Sequence, residues 1–190
     1  MVHPRSIDID AAGDAVERLM RALGMDVADP ALAGTPARVA RAYAELLTPK
    51  EFVMRTFAND EGYDEFVVVR DITFVSIREH HLLPFFGTAT VGYLPDQHIL
   101  GLSKLARVVE MFARRPQLQE RMTKQIAQWL DDHLRPRGVG VVIRAEHCCM
   151  TLRGVRARGS SSATSTLLGL ARDDPRTRTE FLAQAAAAGS

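Results

Sequence analysis

An α+β fold, with an antiparallel sheet carrying two helices on one face and further helices preceding it, follows from three observations on this 190-residue sequence. The N-terminal quarter has helical periodicity. The middle runs strand, strand, helix, helix, strand, strand, an order that suits an antiparallel sheet with its helices on one face rather than a doubly wound parallel one. With 46% hydrophobic residues, the chain is long enough for one substantial core.

Val16, Leu19, Met20 and Leu23 sit at helical spacing within residues 8–24, and Thr35-Pro36 supplies an N-cap and a first-turn proline for a helix through about Leu47. From Glu65 the chain turns to Phe66-Val67-Val68-Val69 and Ile72-Thr73-Phe74-Val75, and Thr88 to Leu94 alternates polar with apolar residues, so both segments read as strands. Leu105, Val108, Val109 and Phe112 mark one helix. After Pro116, Leu118, Met122, Ile126, Trp129, Leu130 and Leu134 mark a second. Arg135 to Gly138 is a turn, Val139 to Glu146 returns to strand, and Met150 to Val155 is the expected partner of that strand. Gly159 to Thr166, nearly all small polar residues, reads as a loop or an edge strand. Asp174-Pro175 starts a last helix, and the alanine-rich tail from Ala183 is expected to fray. These elements divide into an N-terminal helical region, residues 1–60, and a sheet-bearing region, residues 61–190, within a single compact unit.

Lys and Arg total 24 against 23 for Asp and Glu, which gives no electrostatic reason to expect nucleic acid or a membrane surface as partner. Met1 to Arg5 lacks the apolar run of a signal peptide, and no stretch approaches the roughly 20 apolar residues of a membrane span. The two cysteines, Cys148 and Cys149, are adjacent and cannot form a disulfide framework, which fits a reducing cytoplasm. They read either as small buried apolar residues or as metal ligands or catalytic thiols.

Two clusters bear chemistry. Arg78-Glu79-His80-His81 closes a strand, and on extended backbone its two imidazoles point to opposite faces. Glu146-His147-Cys148-Cys149 closes another, and convergence of the two strand ends brings imidazole, thiol and carboxylate together, the donor mix of a catalytic zinc. Gly101-Leu102-Ser103-Lys104 places a hydroxyl, a cation and free backbone N–H groups at a helix start, with Arg107 one turn on, which suits a phosphate. Gln119-Glu120 pairs an amide with a carboxylate, as the donors and acceptor of a guanine edge require. Arg153 and Arg156 add basic groups just past the cysteines. Each of these has an ordinary alternative as a packed or solvated residue.

Taken together, Arg70-Asp71-Ile72, Glu79 to Phe85, Gly101 to Arg107, Gln117 to Arg121, and His147 to Met150 with Arg153-Gly154 resemble the GTP cyclohydrolase I family, from about Thr35 to Leu182. The resemblance implies a tunnelling fold in a toroidal homodecamer, with active sites between subunits. It implies conversion of GTP and water to 7,8-dihydroneopterin triphosphate and formate, the entry to tetrahydrofolate. By similarity, His81 and Cys149 are zinc ligands, His147 is the proton donor, and His80 supports the metal-bound water. Gln119 and Glu120 hold the guanine, and Ser103, Lys104, Arg107 and Arg153 hold the triphosphate. One residue departs from that pattern. The family's first zinc-ligand cysteine falls at position 78, where this chain has Arg78. A guanidinium has no lone pair to offer a metal, and Cys148 is the candidate substitute. Weak or altered turnover of a guanine nucleotide, or service as a non-catalytic partner in a mixed ring, are the alternative readings.

Overall fold

The structure is a computed structural model that describes residues 6–187. It divides into two compact units, residues 1–48 and 49–190. The first holds α1 (Ile9–Ala22) and α2 (Thr35–Leu47), which pack on each other through an amphipathic face each. Asp8 caps α1 by accepting the Ala11 N–H at 2.9 Å. Gly34, rather than Thr35, is the N-cap of α2, with Pro36 in its first turn.

The second unit is built on a five-stranded sheet. Its elements are β1 (Thr56–Ala58), β2 (Val67–Arg78), β3 (Pro84–Leu94), β4 (His98–Leu100), α3 (Leu102–Ala113), β5 (Pro116–Gln117), α4 (Gln119–Leu134), β6 (Gly138–His147), α5 (Cys148–Thr151), β7 (Ser162–Gly169), α6 (Leu170–Asp173) and α7 (Pro175–Ala186). The sheet order is β5-β2-β3-β6-β7, antiparallel except for the short β2–β5 pair, and β1 with β4 forms a separate two-stranded ribbon.

Strand alternation sorts the side chains by face. Phe74, Phe85, Ala89, Val91, Tyr93, Val141 and Ile143 point to one side and are covered by Leu105, Val108 and Val109 of α3 and Met122, Ile126 and Leu130 of α4. This is the expected arrangement of two helices on one face of an antiparallel sheet.

The structure departs from expectation in two places, the segment that extends the sheet beyond β6 and the tail. Met150 to Val155 does not pair with β6, because Cys148–Thr151 closes a helical turn and residues 152–160 run on as a loop. The partner of β6 is β7, in register Ala145↔Ser162 through Gly138↔Gly169, so the small polar segment is an edge strand. A seventh helix covers the opposite face. Phe181 of α7 lies over Gly92 and Gly140, where an added Cβ at Gly140 would meet its ring at 2.5 Å, and Phe66, Val142 and Leu167 complete that second core. The tail therefore does not fray at Ala183. Arg144 and Arg70 donate to the carbonyls of Ala185 and Ala187 at 3.1 and 3.2 Å, satisfying the end of the helix; residues 188–190 lie outside the described residues.

Candidate functional site

The register of three strands assembles the site before any side chain is considered. Phe85 of β3 stands opposite Ser76 of β2 on one side and His147 of β6 on the other, and Ala145, two residues before His147, stands opposite Ser162 of β7. Arg78 shares the face of Ser76 by the same two-residue period. Arg78, Phe85, His147 and Ser162 thus form a row across one end of the sheet, on the side covered by α4, whose first residue is Gln119.

His147 is buried and held on three sides. Its ring stacks on Phe85 with centroids 4.8 Å apart and planes within 6°. The Arg78 Nη1 atom lies 3.2 Å from His147 Nδ1, and His147 Nε2 lies 2.8 Å from Oε1 of Gln119. Burial, with the adjacent Arg78 charge, pushes the imidazole pKa below its ordinary value, while Glu120 pulls the other way. The neutral ring is the favoured form.

Gln119 is itself buried, and its amide is used within the chain. Nε2 donates to the carbonyls of Ile143 and Ser162 and to Thr164 Oγ1 at 3.1, 3.2 and 3.2 Å, while Oε1 also accepts from Ser162 Oγ at 2.5 Å. Thr123 joins through its contact with Thr164. Ser162, Thr164 and Thr123 belong to the site without a motif of their own, while Phe85 closes the Glu79 to Phe85 stretch; the only sign of the first two in the sequence is a two-residue polar period along Ser162, Thr164 and Thr166. Glu120, by contrast, is exposed.

Glu79-His80-His81 is not extended. It lies in the tight turn joining β2 to β3, closed by the Leu82 N–H donating to the Arg78 carbonyl at 2.9 Å, with Leu82 at φ 53°. Both imidazoles are exposed, their centroids 6.4 Å apart. Glu79 pairs closely with Arg121 and lies 3.7 Å from His80; the Arg121 hydrogen bond holds the Glu79 carboxyl below its usual range. Arg121 in turn donates to Gln117, which is buried.

The remaining candidates stand apart. Ser103, Lys104 and Arg107 occupy the first two turns of α3, whose N-cap Gly101 leaves its N–H groups without a side-chain cap. Arg107 is paired with Glu110 at 2.9 Å, and Lys104 reaches over the Phe52 ring. Arg153 is exposed in the loop after α5. A cavity of about 400 Å³ beside that loop is lined by Glu146, Thr151, Leu152, Arg156, Arg158 and Gly159. Its wall is Glu146, which faces the other side of β6 from His147.

Zinc, implied by the resemblance, needs three inward lone pairs. Arg78 supplies none and directs an N–H at His147. Cys148 is buried, and burial pushes its thiol up. Among the described residues no group of three or more His, Cys, Asp and Glu side chains is gathered to hold an ion. The residues of this chain do not fit a three-ligand zinc.

Comparison with known proteins places these features in a lineage. The family model for GTP cyclohydrolase I matches residues 12–186. A GTP cyclohydrolase 1 of Aquifex aeolicus (strain VF5) is 48% identical over 177 residues, covering 93% of this chain and 96% of that protein. One from Synechococcus sp. (strain JA-3-3Ab) is 51% identical over 172 residues, 88% of this chain and 75% of the relative. One from Rhodopirellula baltica is 48% identical over 181 residues, 93% and 78% of the two chains. Among solved structures, the archaeosine synthase QueF-Like in its apo form aligns at TM-score 0.45 and 15% identity, over 55% of this chain and 94% of that one.

Proposed function

The chain belongs to the GTP cyclohydrolase I family, and from that premise we propose that it hydrolyses the imidazole ring of GTP, giving 7,8-dihydroneopterin triphosphate and formate. The observation that carries this reading is His147, fixed at the end of the sheet with a proton-bearing nitrogen beside the start of α4. Opening the ring breaks a bond from C8 to a ring nitrogen, and that nitrogen needs a proton as it leaves. His147 supplies it as the imidazolium, taking up a second proton and returning to the neutral ring, because its Nε2 proton is already donated to Gln119. His80, exposed in the β2–β3 turn beside Glu79, is the second imidazole of the reaction, placed to take a proton from the attacking water.

Glu120 is the carboxylate for the guanine edge, whose ring N–H and amino group are donors. Gln119, with its amide engaged inside the chain, contributes through its hold on His147. Ser103, Lys104, Arg107 and Arg153 carry the triphosphate, supported by the uncapped N-terminus of the 12-residue α3. The family is generally zinc-dependent. The donor set of this chain does not fit that metal, and no step is assigned to it here.

Assembly into a homodecamer is part of the same reading. Val75 and Phe86, a directly opposed pair on the sheet face away from α3 and α4, are both exposed, as are Leu152 and Val155 in the loop past the cysteines. The order of the sheet also leaves β7 at an edge. No helix of the described residues is long and apolar enough to cross a membrane, and adjacent unpaired cysteines fit a cytoplasmic location.

Arg78 favours a second reading, in which hydrolysis stops after the first bond and leaves the ring-opened formamide. Mass analysis of products after incubation with GTP separates the two. Formate with 7,8-dihydroneopterin triphosphate is the expected outcome, a formamidopyrimidine nucleotide alone supports the second reading, and unchanged GTP overturns both.

A further inference from the structure

The hydrogen bonds around His147 determine its tautomer, and they do so from backbone groups outward. The carbonyls of Ile143 and Ser162 can only accept, so the Gln119 atom facing both must be the amide nitrogen. Oε1 of Gln119 is then the atom 2.8 Å from His147 Nε2, and it too can only accept. Nε2 therefore carries the proton. On the other side of the ring a guanidinium offers N–H groups and no lone pair, so Arg78 Nη1 donates to an unprotonated Nδ1. Two independent constraints agree on one arrangement, and Phe85 stacked on the ring resists its rotation.

Arg78 has a further property at this position. Its Nε–H is buried and has no acceptor among the described residues. A metal locus presents lone pairs inward to a cation. Here the same locus presents a cation's own N–H groups inward, one of them unanswered, which calls for an oxygen or nitrogen lone pair, such as that of a water or a carbonyl group.

We infer that Arg78 is a positioning residue that turns the family's metal locus into a hydrogen-bond donor locus: it holds His147 as the Nε2–H tautomer against Gln119, and this chain binds no zinc there. The location of the locus rests on the family reading above; the tautomer and the donor polarity rest on the hydrogen bonds alone.

The full-length protein labelled with ¹⁵N-histidine tests this by solid-state NMR at mildly alkaline pH without nucleotide. The wild type is expected to show His147 with Nε2 protonated and Nδ1 bare; a protonated Nδ1 overturns the inference with no variant needed. In R78M, which removes the donor, the His147 Nδ1 resonance is expected to shift because the bare nitrogen loses its hydrogen bond while Gln119 still holds Nε2–H, and an unmoved resonance overturns it. Metal analysis after equilibration with zinc is the second arm. The wild type should retain far less than stoichiometric zinc while R78C gains it, and stoichiometric zinc in the wild type, or none in R78C, counts against the assignment. Failure here is distinct from failure of the functional reading. A protein that turns over GTP yet holds stoichiometric zinc sinks this inference alone, and one that passes both arms but leaves GTP unchanged sinks the functional reading alone.

Discussion

Glu79-His80-His81 and Glu146-His147-Cys148-Cys149 read alike in the sequence, each a carboxylate followed by imidazole at the end of a strand, and they fold into opposite environments. His147 is at the last position of β6, 4% exposed, with both ring nitrogens and one ring face engaged. His80 and His81 ride on a turn, exposed, with a single carboxylate near one of them. The difference teaches where preorganisation resides. The β6 end engages both nitrogens of its imidazole within one chain, whereas the turn leaves its two imidazoles exposed.

Substitution of the two histidines is the sharpest way to break that contrast. His147→Ala should lower kcat by about 10²- to 10⁴-fold, the usual worth of a positioned proton donor. It should also lower the melting temperature, because Gln119 and Arg78 lose a buried partner. His80→Ala should lower kcat without moving the melting temperature. Equal thermal losses in the two variants, read by scanning calorimetry, would erase the distinction.

Gln119→Leu probes the hold rather than the held residue. It leaves the buried His147 Nε2–H without its acceptor and removes the Gln119 bonds to Ser162 Oγ, Thr164 Oγ1 and the Ile143 and Ser162 carbonyls, and each buried group left unsatisfied costs about 1–3 kcal/mol. Urea unfolding should show a loss of several kcal/mol, and a neutral result would mean that the network carries little strain on removal.

A change on the opposite face serves as the control. Gly140→Ala forces a methyl into the Phe181 ring at 2.5 Å and should cost about 1–3 kcal/mol of stability as overpacking does, with kcat unchanged in the folded fraction. A parallel fall in kcat would show that α7 and the His147 row are coupled through the sheet.

Smaller effects belong to the exposed side of the comparison. Arg121→Ala removes the partly exposed pair with Glu79 together with the bond to the buried Gln117 Oε1, and should lower the melting temperature by less than Gln119→Leu does. Asp174, the N-cap of α7, has its pKa held below its ordinary 3.8 by hydrogen bonds from the Thr177 hydroxyl and N–H. A depressed carboxylate stabilises the fold above its unfolded value and loses that contribution as pH falls through the folded value. Asp174→Asn should therefore lower stability slightly at neutral pH and flatten the acid limb of a stability-versus-pH curve below 3.8.

Much of the fold was legible from local pattern. Helical periodicity placed α1, α3, α4 and the start of α7, and β-branched runs placed β2, β3 and β6 within a few residues. The partner of β6 was misplaced because Met150 to Val155 and Ser162 to Gly169 both satisfy a short strand pattern, and the choice is made by the helical turn that Cys148–Thr151 forms after β6. The histidines of the β2–β3 turn were expected on extended backbone for a similar reason: Leu82 adopts a left-handed φ that a leucine seldom takes, and no turn-favouring residue announces it. The motif residues Gln119 and His147 were visible, but nothing in their spacing says that 28 positions of chain close into a 2.8 Å hydrogen bond.

By itself the sequence determined the class of the fold and the family, and showed Arg78 directly before Glu79-His80-His81, because periodicity and ordered motifs are written in neighbouring residues. Only the tertiary structure decided that Arg78, Gln119 and His147 meet, that the imidazole carries its proton on Nε2, that β7 rather than Met150 to Val155 extends the sheet, and that α7 covers the second face. Those outcomes depend on strand register and on the direction of donors and lone pairs across long loops, and neither is encoded in a local stretch of chain.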